Sequence, residues 1–195
     1  MEAIGEIKSK VSDVLKWDIM LRLVNDLIEA KKYKLALLVA IPSYVGIRHS
    51  DTIRLRYNDL LLSEKLTLIE TKTQKLKRVR EIQINADLKK IVEICKQEHT
   101  GDEYIFANSR GCPETIQYHN QQFKKLRETY NYIDIQNFTQ HSTRKCFAVR
   151  VYEKLGSDEN ALITLQYLLK HSSTAITLCY LGLQRKIEQN VYLNL

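Results

Sequence analysis

The stretch Leu168-Leu169-Lys170-His171-Ser172-Ser173-Thr174-Ala175-Ile176-Thr177-Leu178-Cys179-Tyr180 interrupts a helical run and starts a new one. Leu168 and Leu169 close the first helix. Ser172 or Ser173 offers the side-chain oxygen that satisfies an orphan N–H in the first turn of the next. The offset from His171 to Tyr180 is 180 − 171 = 9 residues, a half-integral number of turns at about 3.6 residues each, so on one helix the two side chains would point apart. With His171 in the turn before the helix and Tyr180 near its far end, both can border one pocket. The plainer readings are a half-buried aromatic with a satisfied hydroxyl, the common fate of the 11 tyrosines, and a turn histidine bonded to backbone.

Working outward, apolar residues recur at helical spacing from Ser12, a plausible cap, to Lys32, and again over 35–45, ending near Gly46 just before Arg48. Trp17 and the Leu/Ile stripe beside it read as core. His49 to Leu55 reads as a short helix. The pattern then changes to alternation at 65–70 and 79–84, a β-hairpin whose connection, Thr71 to Arg78, is basic with no acidic residue. Helices resume at 86–98, 115–130, 139–155 and 158–169, and a last one follows Ser173. The expected fold is mainly α with a small antiparallel β-hairpin, an α+β domain.

The 195 residues are 44% hydrophobic and 27% charged, enough for one core and too few for two. Residues 1–19 read as a lead-in, 20–182 as the core and 183–195 as a tail. A formal net charge of +7 suits a polyanion such as DNA. The four cysteines lie far apart, without zinc-site pairing or disulfide density, which fits a reducing cytoplasm. No apolar run reaches membrane-spanning length, and neither repeats nor a low-complexity segment is visible.

Phosphodiester transfer without a metal needs cations for the phosphorane, a nucleophile, and an acid for the leaving oxygen. His141-Ser142-Thr143-Arg144 places imidazole and guanidinium three apart, on one helix face. Alone, such a pair is better read as a capped, solvated helix face, because five histidines and many arginines produce the spacing by accident.

Together these clusters resemble the tyrosine recombinase family of phage, transposon and chromosome-dimer integrases. Gly46-Ile47-Arg48-His49-Ser50-Asp51 is similar to the family's first arginine box, with its acidic residue three positions on. Lys72 lies in a basic β-turn where the family carries a lysine. His141 and Arg144 match the H-x-x-R box, followed by the aromatic Phe147. His171 matches the second histidine, and Tyr180 stands at the family's offset from it. The resemblance covers roughly residues 15–182. Lys145 and Cys146 depart from the usual pattern, as does Lys170, which stands where Gly is usual; neither departure is expected to touch a catalytic group.

The resemblance implies the tyrosine recombinase catalytic-domain fold and strand exchange through a 3′-phosphotyrosyl link at Tyr180, with no cofactor or metal. Arg48 and Arg144 would clamp the non-bridging oxygens, His171 would donate to one of them, and His141 would be the base or hydrogen-bond partner of Tyr180. Lys72 would protonate the departing 5′-oxygen, with Lys75 its rival, and Asp51 would orient Arg48. Lys75, Lys77, Arg78, Arg54 and Arg56 are candidate contacts to the DNA backbone; Lys72, Lys75, Lys77, Arg78 and Arg80 could equally be the solvated face of an edge hairpin. Duplex DNA is the expected partner, with a homo-tetramer joined through the tail Leu183 to Leu195, in the nucleoid-associated cytoplasm. The separate N-terminal DNA-binding domain of the family is expected to be absent. A non-catalytic DNA-binding relative, a topoisomerase-like nicking and resealing enzyme, and a helical protein whose boxes match by chance are the alternatives.

Overall fold

The protein is described here by a computed structural model covering residues 12–69, 79–97, 99, 101–183 and 193. The element order is α1 (Trp17–Glu29), α2 (Tyr33–Val45), α3 (His49–Thr52), α4 (Tyr57–Leu61), β1 (Lys65–Ile69), β2 (Val79–Gln83), α5 (Ala86–Lys96), α6 (Ile116–Thr129), α7 (Gln140–Lys154), α8 (Glu159–Leu169) and α9 (Thr174–Leu181). The two strands pair antiparallel, from Lys65 opposite Gln83 to Ile69 opposite Val79. Among the described residues the fold is therefore mainly helical, with one antiparallel pair of strands.

α2 is the organising element. Residues Ala36 to Ser43 and Val45 are all buried, and a helix that is apolar on every side can only be covered all round. Each of its large side chains, such as Leu37 and Ile41, adds about 1.5–3 kcal/mol on burial. Around it pack Met20, Leu23, Val24 and Leu27 of α1, Leu88 and Val92 of α5, and Cys146 of α7 in one continuous core. A second, smaller core joins Ala148 of α7, Leu162, Leu165 and Leu169 of α8, and Leu181 of α9. α7 is thus shared between the two.

The sequence expectations differ from the structure at identifiable points. Ser12 does not cap α1, which begins at Trp17 behind Lys16; the Ser12 carbonyl instead accepts a hydrogen bond from Lys145 Nζ at 2.8 Å. Trp17 is half-buried, edge-on to Tyr44 with ring centroids 5.0 Å apart. The helix foreseen over His49 to Leu55 stops at Thr52. α4 escaped sequence reading because five residues are too few to display a helical period. Arg80 is no solvated hairpin residue: its guanidinium donates to the Leu168 carbonyl at 2.7 Å, bracing β2 against α8. No helix among the described residues is long and apolar enough to cross a membrane.

Candidate active site

α2 ends at Gly46 with φ +62 and ψ 26, the left-handed cap that glycine adopts without Cβ strain. Gly46 also faces the Phe147 ring, which a Cβ there would overlap. The reversal delivers Arg48 to the N-terminus of α3, where its carbonyl accepts from the N–H groups of Asp51 and Thr52 at 3.0 and 2.9 Å. Asp51 is buried one turn further on.

Thr139 caps α7 by accepting from the His141 N–H at 3.2 Å. His141 and Arg144 then leave the same face of the first turns. Arg144 is 5% exposed, and one arm of its guanidinium donates to the Leu169 carbonyl at 2.7 Å, pinning the end of α8. α8 closes with Lys170 in the left-handed region, φ 55 and ψ 45, a conformation that explains why glycine is the usual residue there. His171 follows, its N–H bonded to the Gln166 carbonyl at 3.1 Å and its Nδ1 3.1 Å from Thr177 Oγ1. Ser173 caps α9, and the Tyr180 ring meets the His171 ring edge to face at 5.0 Å.

Arg48, His141, Arg144, His171 and Tyr180 consequently line one cleft of about 240 Å³, together with His49, Gln140 and Lys170. Burial pushes the Tyr180 hydroxyl up to about 12, against the opposing pull of Arg144, as charge and as donor, and of the Arg48 charge. Its oxygen is sealed from solvent and has no partner of full hydrogen-bond geometry. Desolvation lowers the His141 imidazole, with Arg144 and Lys145 adding to the effect.

Lys145 and Lys170 correct the sequence reading, which kept the departures from the family pattern away from the catalytic groups. The Lys145 ammonium sits over the Tyr180 ring, 5.4 Å from its centroid, and Lys170 is part of the cleft wall. Arg54 is exposed at the end of α3. The Arg56 guanidinium stacks on Tyr104 at 4.5 Å and donates to the Asp102 carbonyl, and neither arginine lines the cleft. Lys72, Lys75, Lys77 and Arg78 lie outside the described residues, as does the tail beyond Leu183 except Leu193.

One pair of residues was missed. His49 reaches His119 of α6, with Nε2 and Nδ1 3.0 Å apart, and His119 Nε2 lies 2.7 Å from Glu114 Oε2. A contact across 70 residues leaves no local pattern to read; the only available signal was the place of His49 beside Arg48.

A helical domain that gathers two arginines, three histidines and a tyrosine around one cleft has the parts of the tyrosine recombinase class. The sequence profile described as the phage integrase family matches residues 14–186, and the chain belongs to that family. It is 27% identical over 147 residues to the probable integrase/recombinase YoeC of Bacillus subtilis (strain 168), covering 75% of this chain and 76% of that protein. Among solved structures it is similar in fold to the XerA recombinase, with a TM-score of 0.65 at 19% identity over 97% of this chain. The XerH site-specific recombinase bound to palindromic difH substrate gives 0.66 at 19% over 93%, and a lambda integrase dimer bound to a COC′ core site 0.63 at 23% over 89%. The chain spans 65%, 53% and 49% of those three structures' chains.

Proposed function

We propose that this protein is a site-specific DNA recombinase that cuts and rejoins strands through a 3′-phosphotyrosyl link at Tyr180. The observation that carries the reading is the convergence of Arg48, His141, Arg144, His171 and Tyr180 on one cleft from four separate elements or turns. Two planar guanidiniums can each fork two phosphate oxygens and stay charged at any working pH. Tyr180 Oη attacks phosphorus as the 5′-oxygen leaves, so the bond energy is retained in the new ester and rejoining is the reverse step.

In this reading Arg48 and Arg144 hold the non-bridging oxygens, His171 donates to one of them, and His141 helps to deprotonate Tyr180. Asp51 keeps Arg48 in place. Lys72, or its rival Lys75, protonates the 5′-oxygen, while Lys75, Lys77, Arg78, Arg54 and Arg56 meet the DNA backbone. The buried phenol is a resting state, and DNA binding turns the hydroxyl toward the phosphate. Duplex DNA is the substrate, in keeping with similar structures bound to difH and to a core site. Residues 1–195 act as a single catalytic domain, with 20–182 as its core, working in the nucleoid-associated cytoplasm. Copies join as a tetramer through the tail from Leu183 to Leu195.

The test uses nicked suicide duplexes drawn from a random-sequence pool, recovering those that become covalently attached. Wild-type protein is expected to form the adduct and Tyr180→Phe none, on a denaturing gel. Adduct from the Phe variant would reassign the nucleophile. DNA retention without adduct on any sequence would mark a binding-only protein, and supercoil relaxation without pairing of two sites a nicking and resealing enzyme.

A further inference from the structure

Behind the cleft wall, His119 is 1% exposed and packed edge-on against His49, with centroids 4.9 Å apart, and against Phe106 at 5.5 Å. The Glu114 carboxylate can only accept, so His119 Nε2 carries the proton of that 2.7 Å contact. His119 Nδ1 is then the acceptor of the 3.0 Å contact, His49 Nε2 is its donor, and His49 Nδ1 is left bare. Lys34, 3.7 Å from the other Glu114 oxygen, balances the carboxylate at the far end.

The cleft is a poor place to leave a proton. Arg48, Arg144 and Lys145 already supply cations. Desolvation, helped by His119 and His141, pushes His49 down to about 3. Burial also lowers His119, although Glu114 opposes the effect, and His141 is lowered as described. Cleavage nevertheless releases the Tyr180 proton, and a standing imidazolium would have to share its surroundings with two guanidiniums.

We propose that His49, His119 and Glu114 form a relay that carries the Tyr180 proton out of the cleft, with His49 the catalytic member at the wall and the other two acting through it. The inference rests on the cleft being the site of strand cleavage. As the Tyr180 Oη–P bond forms, the Oη–H bond breaks and its proton passes to His49 Nδ1, directly or through His141. The His49 Nε2 proton moves to His119 Nδ1, and the His119 Nε2 proton to Glu114 Oε2. Both rings end neutral in their other tautomers and the glutamate ends as the neutral acid. The P–O5′ bond breaks with its electrons on O5′, which takes a proton from the lysine acid, Lys72 or its rival Lys75. Rejoining returns every proton along the same path.

Full-length protein and one suicide duplex recovered as above provide the test, read as single-turnover adduct formation at saturating DNA. Glu114→Gln keeps an acceptor for the His119 N–H but cannot take up a proton. Its cleavage rate is expected to fall on the order of 10²-fold, with DNA affinity and melting temperature unchanged and partial recovery in Glu114→Asp. His49→Gln should fall similarly, and the double variant no further, because the groups act as one unit. A wild-type rate in Glu114→Gln, losses that multiply in the double variant, or a rate loss matched by an equal loss of binding would overturn the relay. If Glu114→Gln does not fold, a wild-type rate in His49→Gln alone overturns it. Adduct from Tyr180→Phe would instead sink the reading of the cleft itself.

Discussion

His49 is neutral in the folded protein because its imidazole is desolvated beside His119 and His141. In the unfolded chain it titrates near about 6.5. Its folded value is depressed to about 3, so below about 6.5 the unfolded state takes up a proton that the folded state refuses. The stability from this residue is present above that pH and is lost as pH falls toward 3. Thermal melts should show the wild type losing melting temperature more steeply between about pH 6.5 and 5 than His49→Gln, which has no such proton to bind; parallel curves would refute the assignment. At this scale the sequence was informative about boxes and silent about partners. Arg48, His141, Arg144, His171 and Tyr180 were legible only together, because each sits in a short motif that is degenerate alone and telling only in its order along the chain. The link from His49 through His119 to Glu114 exists only after α3 and α6 have packed.

Two left-handed caps set the elements that carry those side chains. Gly46 lets α2 stop and Arg48 turn into the cleft, with the Phe147 ring against its α-carbon. Gly46→Ala is expected to cost roughly 1–2 kcal/mol for the backbone alone, and more as the ring is displaced; urea denaturation gives the stability, and the adduct assay should show a larger proportional loss as Arg48 shifts. Lys170 holds the same kind of conformation with a side chain attached. Lys170→Gly should therefore relax the backbone and raise stability by up to about 1 kcal/mol. Removing one cation from the cleft wall should meanwhile flatten the salt dependence of DNA binding by about one unit of log–log slope. Unchanged stability would mean the strain is absorbed elsewhere. The start of α9 was legible because Ser172 or Ser173 announces it, and Ser173 is the cap. The start of α1 was misread, because the helix begins at Trp17 behind Lys16 with no side-chain cap, and Ser12 lies before it with its carbonyl held by Lys145.

For the whole molecule, the periodicity of 17–45 and 140–169 was enough to foresee a helical domain, because apolar spacing reports which faces must be covered. It could not foresee that the covered faces form two cores of unequal size. Arg48 comes from the large one; His171 and Tyr180 depend on the small one, through α8 and α9. Leu165→Ala, at a fully buried position of the small core, should cost about 2–5 kcal/mol locally. Amide exchange in α8 and α9 is expected to run ahead of α2 in the wild type, and further ahead in this variant. The working geometry thus lies on a seam between two cores, the smaller of which is expected to loosen first. Such a protein should tire with heat before it melts, its cleavage yield declining at temperatures where the far-ultraviolet circular dichroism is still that of the native chain, and recovering on cooling.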